Sequence, residues 1–543
     1  MPRKLPESLG LVCLSAAAFA LAHPNPLFPR GLGALAFFFF LPAAAALRGA
    51  RPGRAALQGA LFALVGYGLM DSWLAAYDPI APLVVLPLTA CYYAGLFAAL
   101  AALGRAFPRW IWATWPFAWV GLEFAKTLGF LGYPYGILGY ALYEHLPLAQ
   151  AASAAGVFGL SALALWPQAL LAQELAAREL AAQDEAGSPS AAGARGPCGT
   201  ARAAGAARAR GALVLGVLAL CEAAGLARLA LPLKAEGPRI ELALVQPDLP
   251  SGAEGLAAYR AALDVLIGES RAALASGAEL VAWPETAFVP SIDYHLRYRP
   301  DRGLYDLVRE CRDFIAGSGA DFLVGNDHGA RGPGGAGDRV DYNAALAFPK
   351  GGGGPEVYAK SRLVPFAEWF PFEGALPRLH AFFERKAGGF WEPGPGPASL
   401  PLAGTRVAAP ICFEDCFGEG VRAMAGDGVG LVLALVNDEW SRSEAAERQH
   451  LACSVFRAIE TGKPVARAAN SGLTALVDGR GRILDELPPF ERGALRAAVD
   501  CAPGARTAYL AVGDLFARAC LGLALGALAA AAIELAGRRK RRP

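Results

Sequence analysis

Apolar residues dominate eight stretches of this chain: residues 9–22, 31–47, 55–76, 82–103, 110–131, 151–171, 211–231 and 516–535. A bilayer core about 30 Å thick takes about 20 apolar helical residues, because a helix rises about 1.5 Å per residue and must satisfy its own backbone. The pattern therefore predicts a multi-span α-helical membrane domain of about eight helices. The first stretch is short. Its small residues before His23 resemble a cleavage site, but no clear mature start follows, so it reads as retained. The seventh is interrupted by Glu222 and Arg228.

Between residues 237 and 513 the pattern changes to short apolar runs bounded by Gly, Pro, Asp and Asn. Residues 240–245, 280–283, 322–324, 344–348, 407–413, 429–436, 465–469 and 473–477 predict strands, several buried on both faces. Stretches such as 256–276 and 445–461 predict helices between them. This alternation argues for one α/β domain with layered sheets. The expected organisation is a transmembrane domain over 1–235 with spans one to seven, a catalytic domain over 236–513, and an eighth span with a basic tail over 514–543. Residues 183–210 collapse to Ala, Gly, Ser, Pro and Arg and read as a disordered cytoplasmic linker.

Composition sharpens this picture. Of 543 residues, 55% are hydrophobic and 18% charged, too apolar for an ordinary soluble enzyme. The formal net charge of +2 supplies no field to hold nucleic acid. Basic residues gather in alternate connections: Arg3 and Lys4, Arg48 to Arg54, Arg105 and Arg109, five arginines over 178–210, and Arg538 to Arg542. The other short connections contribute only Arg30. Because basic residues are retained in the cytoplasm, both termini are expected there, with the 236–513 domain outside. Ten cysteines lack CxxC pairs or Cys/His clusters, so neither a zinc site nor a disulfide framework is indicated. No metal or organic cofactor is expected. On span five, Glu123 and Lys126 stand three residues apart and are expected to pair on one helical face.

Three residues at the ends of predicted strands carry candidate chemistry: Glu285 in AWPET, Lys360 in VYAKSRLVPFAEWFPF and Cys412 in APICFED. Taken singly, each has a commoner reading as a cap, a solvated cation or a small core hydrophobe. Taken together, a carboxylate, an ammonium and a thiol form a complete set for acyl transfer. A thiol near pKa ~8.5 needs a base, a negative acyl oxygen needs a cation or N–H donors, and the leaving alcohol needs a proton returned.

In this order, 75 residues from Glu285 to Lys360 and 52 from Lys360 to Cys412, the three resemble the Glu-Lys-Cys pattern of the nitrilase superfamily. With eight spans, LVPFAEWFPF after the lysine, VQPDLP after span seven, NDEW at 437–440 and RAANSGLTALVD at 467–478, the resemblance narrows to the apolipoprotein N-acyltransferases of bacterial inner membranes. It covers nearly the whole chain. It implies an αββα sandwich, with Cys412 taking an acyl chain from a phospholipid as a thioester. The α-amine of an S-diacylglyceryl cysteine at an apolipoprotein's N-terminus then accepts that chain. It also implies supporting roles for Glu368 and Glu414, beside the backbone N–H of Phe413. Cys416 and Cys453 match nothing catalytic and read as structural. The implied partners are a phospholipid donor, a diacylated apolipoprotein acceptor and membrane lipids, with the enzyme a monomer.

Two departures stand out. Phe413 replaces a tyrosine of many relatives, keeping the ring and N–H but losing a hydroxyl. A loop tryptophan carried by some relatives is missing near residues 252–255. The aromatic stretch 369–391 is expected to dip into the lipid interface as a lid. Two other readings use the same residues differently: a membrane-tethered amidase with water as acceptor, and a transporter or assembly scaffold with an inactive outer domain.

Overall fold

The computed structural model describes residues 4–187, 197–233, 236–250, 252–332 and 339–540. It forms two units: Met1–Leu128 with Tyr133–Leu231 and Asp514–Pro543, and Gly129–Gly132 with Pro232–Gly513.

Each of the eight apolar stretches contains helix, although the fifth leaves it after Ala125 and its residues 129–131 belong to the second unit. Among the described residues, five helices are long and apolar enough to cross a membrane: Leu5–Ala22, Ala81–Ala106, Ala152–Arg178, Ala204–Ala230 and Leu515–Arg538. The other stretches are shorter or more polar. Residues 31–47 break into a 3-10 turn, Gly33–Phe37, and a helix, Phe40–Leu47; Pro52–Met70 carries Arg54 and Gln58, and Ile111–Ala125 has 15 residues. The core is aromatic. Phe19, Phe40, Phe62, Tyr93 and Trp119 are buried, and Trp119 meets Phe40 with ring centroids 5.3 Å apart and Tyr93 at 5.5 Å. At Gly59 a Cβ would lie 2.0 Å from the carbonyl oxygen of Tyr93, so the two helices approach as only glycine permits.

Two expectations are corrected here. Glu123 and Lys126 are both fully buried but do not bond to each other. Glu123 accepts from Trp119 Nε1 and Leu138 N, each at 2.8 Å, while Lys126 donates to the Tyr67 hydroxyl at 2.6 Å and the Tyr135 carbonyl at 2.7 Å. Lys126 is the C-cap of helix Ile111–Ala125, still αR with its N–H on Leu122 O, and its side chain is drawn to Tyr67 and Tyr135 while Glu123 is taken up by Trp119 and Leu138. The stretch 183–210, expected to be disordered, is helical at 183–187 and 197–210; residues 188–196 lie outside the described residues. Alanine is the best helix former, and it outweighs the lack of large apolar groups there.

The second unit holds two six-stranded sheets. The first has the order β12-β1-β2-β3-β4-β5, with β1 Arg239–Gln246, β2 Leu280–Phe288, β3 Asp321–Arg331, β4 Arg339–Phe348, β5 Glu356–Ala359 and β12 Gly493–Asp500. The second has the order β11-β10-β9-β8-β7-β6, with β6 Ser399–Leu402, β7 Thr405–Ala408, β8 Val429–Val436, β9 Val465–Ala469, β10 Ala475–Val477 and β11 Ile483–Glu486. β1, β2 and β3 run parallel, as do β7, β8 and β9, and the remaining pairs are antiparallel.

β1 and β2 pack against β8 and β9, which is why β8, VGLVLALV, is buried at every position. Helices cover the outer faces. Leu256–Ala275 and Arg302–Gly317 bury Leu263, Leu266, Leu307 and Cys311 against Val281, Trp283 and Phe322. Glu444–Thr461 lies against β9 and β10 and is buried along most of its length. Parallel neighbours require such crossovers, and the result is an αββα sandwich.

Candidate active site

Glu285 was expected at a strand end but lies inside β2, at the point where its pairing with β3 shifts between Trp283 and Phe288. The irregularity turns the strand: Thr286 has φ +46°, and a Cβ on Gly325 of β3 would sit 2.0 Å from the Pro284 carbonyl oxygen. Glycine at 325 is therefore what lets β3 pass under the bend that aims Glu285.

Lys360 directly follows β5, and its backbone N–H donates to Asn343 O of β4 at 2.8 Å. Its ammonium donates to Glu285 Oε1 at 2.9 Å and to Glu368 Oε1 at 2.7 Å. Burial alone favours the neutral amine, but the Glu285 and Glu368 carboxylates outweigh it and hold Lys360 well above the ordinary lysine range, so it is a fixed cation. Burial pushes the Glu368 carboxyl upward, against the pull of Lys360. The other Glu368 oxygen accepts from Val364 N at 2.9 Å, closing the loop that carries it.

Cys412 lies beyond β7. The predicted strand 407–413 stops at Ala408, because Pro410 has no N–H for the ladder; a single bridge, Ile411 with Leu435, follows before the 3-10 turn Cys412–Cys416. Cys412 has φ +50°, a left-handed conformation costly for any residue with a Cβ. Burial raises its thiol well above the usual range; Glu285 adds to this and Lys360 opposes it. The thiol thus rests protonated beside a carboxylate and an ammonium. All three residues are buried, Cys412 and Glu285 at 7% and 6% exposure and Lys360 fully enclosed.

Glu414 ties these parts together. Its Oε1 accepts from the Tyr358 hydroxyl at 2.8 Å, Ser361 N at 2.8 Å, Ser361 Oγ at 2.9 Å and Arg362 N at 3.1 Å, while Oε2 accepts from Ile411 N at 2.9 Å. Phe413 packs edge-on against Phe417, with centroids 4.9 Å apart, and its backbone N–H directly follows Cys412.

All six residues singled out in the sequence thus belong to one locality. Sequence reasoning missed Asn343, whose Nδ2 donates to Glu285 Oε1 at 2.7 Å. It also missed a buried cluster behind Cys412 made of Asp415, Asp438, Glu447, His450 and Arg467. Asp415, Asp438 and Arg467 lie within APICFED, NDEW and RAANSGLTALVD, whereas Asn343, Glu447 and His450 fall outside any motif singled out. Cys412 with Asp438 and His450, and Asp415 with Cys416 and His450, bring potential metal-ligating atoms together. In both groups the acids already have side-chain cations, His450 and Arg467, as counter-charges.

The aromatic stretch 369–391 includes the helix Pro377–Ala387. Phe366, Phe370 and Phe383 form a ring cluster with neighbouring centroids 5.7 to 5.8 Å apart, while Phe372, Leu376, Leu379 and Phe382 are exposed. Phe130 meets Trp369 and Phe372 edge-on at 6.3 and 5.5 Å.

Comparison with known proteins gives two family matches: residues 224–509 match Carbon-nitrogen hydrolase, and residues 15–170 match the Apolipoprotein N-acyltransferase N-terminal domain. Apolipoprotein N-acyltransferase 1 of Treponema pallidum is 37% identical, over 93% of this chain and 92% of the relative. Apolipoprotein N-acyltransferase 1 of Treponema denticola is 32% identical, covering 94% of each chain. Apolipoprotein N-acyltransferase of Geobacter metallireducens is 30% identical, over 98% of this chain and 95% of the relative.

Proposed function

Because the chain belongs to the apolipoprotein N-acyltransferase family, we propose that Cys412, Glu285 and Lys360 carry out its acyl transfer by a two-step thioester route. The protein is a membrane acyltransferase that completes lipoprotein maturation, and its substrates are phospholipid and lipoprotein. The observation that carries the residue assignment is the single ammonium of Lys360 bridging Glu285 and Glu368 beside a left-handed cysteine.

In the first step Glu285 takes the thiol proton and the sulfur attacks the acyl ester carbonyl. The negative oxygen that forms is stabilised by the third N–H of Lys360 and by the backbone N–H of Phe413. The carbon–oxygen ester bond then breaks, Glu285 returns its proton to the departing alcohol, and a lysophospholipid leaves. In the second step the free α-amine of the S-diacylglyceryl cysteine attacks the thioester. The carbon–sulfur bond breaks, and Glu285 carries the amine proton to the sulfur. One carboxylate serves both halves, and no proton or electron is left over. Glu368 orients the ammonium, and Glu414 holds the Lys360 segment against the Cys412 turn.

The basic residues at 48–54, 105–109, 178–210 and 538–542 support cytoplasmic termini and a catalytic domain on the periplasmic side of a bacterial inner membrane. The exposed side chains of 372–382 support an arm that meets lipid.

The test uses vesicles of isotope-labelled phospholipid with a peptide that begins in S-diacylglyceryl cysteine. Labelled acyl chain should appear on the free α-amine, and none on the N-acetylated peptide. Release of labelled fatty acid at the same rate with either peptide would make the protein a hydrolase instead.

A further inference from the structure

The charges buried behind Cys412 exceed what the reaction above uses. Asp415 belongs to the Cys412–Cys416 turn, Asp438 lies two residues past β8, His450 sits on helix Glu444–Thr461 and Arg467 on β9. His450 Nδ1 is 2.9 Å from Asp438 Oδ2, while Nε2 is 2.8 Å from Asp415 Oδ1 and 3.3 Å from the Cys412 carbonyl oxygen. Arg467 donates to Asp415 Oδ2 at 3.2 Å and also to Asp438. Ser454 Oγ donates to Asp415 Oδ2 at 2.5 Å. None of Asp415, Asp438, His450 and Arg467 is more than 2% exposed.

A neutral imidazole has one N–H, yet both ring nitrogens of His450 face carboxylate oxygens, and Nε2 also faces a carbonyl. Only the imidazolium donates from both sides. Two aspartates against one imidazolium and one guanidinium also leave the cluster balanced, as a site this deep requires. The remaining groups around it are Glu447 and Cys453 on the same helix, Cys416 on the turn, and Arg457, whose Nη1 donates to Asp415 O at 3.3 Å. Burial and the Asp438 charge push Glu447 well above the usual carboxylate range, so it adds no third negative charge. Burial and Arg467 pull the imidazole down, but Asp415 and Asp438 outweigh them and raise it to about 10.

We propose that His450 is a positioning residue, an imidazolium clamped by Asp415 and Asp438 that binds the Cys412 carbonyl and holds the left-handed turn presenting the thiol and the Phe413 N–H. This rests on Cys412 being the nucleophile. The Cys412 carbonyl opens the 3-10 turn Cys412–Cys416, and His450 adds a charged side-chain donor to it from outside that turn. The pattern QH, ten residues after NDEW, brings His450 to this point through the first turns of a helix that starts at Glu444.

The test uses the full chain in lipid nanodiscs and two readouts: single-turnover acylation of Cys412 by phospholipid, and alkylation of Cys412 by iodoacetamide, both followed by intact mass. Misplacing a reacting atom by about 1 Å costs roughly 100-fold, so His450→Gln should slow acylation by about that factor while leaving the phospholipid KM within about twofold. Asp438→Asn removes one of the two charges holding the imidazolium. Its acylation rate should fall as the pH rises from 6 to 8.5, a fall the wild type does not show over that range. Wild-type acylation rates in His450→Gln, or a wild-type pH profile in Asp438→Asn, overturn the proposal. If His450→Gln does not fold, the Asp438→Asn profile decides. If wild-type Cys412 never takes an acyl chain, the functional reading fails by itself. The alkylation comparison then still decides: slower alkylation in His450→Gln supports the positioning role, and equal rates overturn it.

Discussion

Glu414 accepts the backbone N–H of Ser361 at 2.8 Å, so the turn that opens with Cys412 is tied to the segment that opens with Lys360. Four further donors, from Tyr358, Ser361, Arg362 and Ile411, converge on the same carboxylate. Removing it strands several buried donors, each costing about 1 to 3 kcal/mol, and releases the lysine from the cysteine. Glu414→Ala is expected to lower the unfolding temperature by several degrees and the rate by roughly 100-fold. Glu414→Gln keeps one acceptor oxygen and should fall between that variant and the wild type. Thermal unfolding and acyl transfer measured on the same preparations check the order.

Lys360 stands between two carboxylates, and its loss does more than remove a donor. Lys360→Met leaves Glu285 and Glu368 facing each other in a dry site, a break that typically costs about 3 to 5 kcal/mol. The transition-state oxygen loses its cation as well, for roughly 100- to 1000-fold in rate. Lys360→Met combined with Glu368→Gln should recover stability, since one negative charge is gone, but not activity. Recovery of both would show that the ammonium acts only as a structural counter-ion.

Asn343→Leu removes the second donor to Glu285 without adding charge. The carboxylate keeps its bond to Lys360 but loses its fixed orientation, and a rate loss of about 10- to 100-fold follows from the general weight of positioned acid–base groups. Asn343→Asp, which sets a second acid beside Glu285, should be the worse variant. Single-turnover acylation distinguishes the two.

The buried cluster sets a pH signature in stability. His450 titrates near 10 in the folded protein against 6.5 for an ordinary imidazole, so its stabilising contribution is complete below pH 6.5 and is lost as the pH rises through about 10. Burial opposes ionisation of Asp415, but His450 and Arg467 outweigh it and bring its carboxyl from 3.8 to about 2. Its contribution is present above pH 3.8 and disappears as the pH falls through 2. The gap in unfolding temperature between wild type and His450→Gln should therefore be widest at pH 5 to 6.5 and narrow steadily toward pH 9.5. A gap that stays constant over that range would mean that His450 is neutral throughout.

What could be read from the chain varied with how local the signal is. β8 and β9 were legible to the residue, because a strand buried on both faces reads as a nearly unbroken apolar run, complete in β8 and interrupted only by Arg467 in β9. β5, β6, β11 and β12 were not, since short or edge strands mix exposed and buried positions without a clean run. The aromatic stretch hid a helix for the opposite reason: its rings pack against one another rather than along one periodic stripe. Glu285, Lys360 and Cys412 stood out through flanking motifs. Asn343 and His450 did not, because Asn343 is 58 residues from Glu285 and His450 is 38 from Cys412, with only the fold to bring them together. The cation in the membrane unit failed similarly: a spacing of three residues implied a Glu123–Lys126 pair, but Tyr67 and Tyr135, far away in sequence, take the ammonium, and Trp119 and Leu138 take the carboxylate.

The exposed apolar side chains of the arm make a prediction that separates lipid capture from chemistry. Leu379 and Phe382 are 43% and 45% exposed on one short helix. Leu379→Glu with Phe382→Glu should raise the KM for vesicle phospholipid about tenfold or more, consistent with roughly 1.5 to 3 kcal/mol per buried side chain, and leave turnover of a short water-soluble acyl ester unchanged. Equal effects on both substrates would place those residues in the fold rather than at the lipid surface.

The most direct measurement is intact-mass analysis of the wild-type protein mixed with phospholipid in the absence of acceptor, followed by peptide mapping. A single fatty-acyl mass should accumulate on Cys412, be absent in Cys412→Ala, and vanish within one turnover when a diacylated peptide with a free amine is added. An unmodified Cys412 during active transfer, or an acyl adduct that persists in Cys412→Ala, would contradict the thioester route.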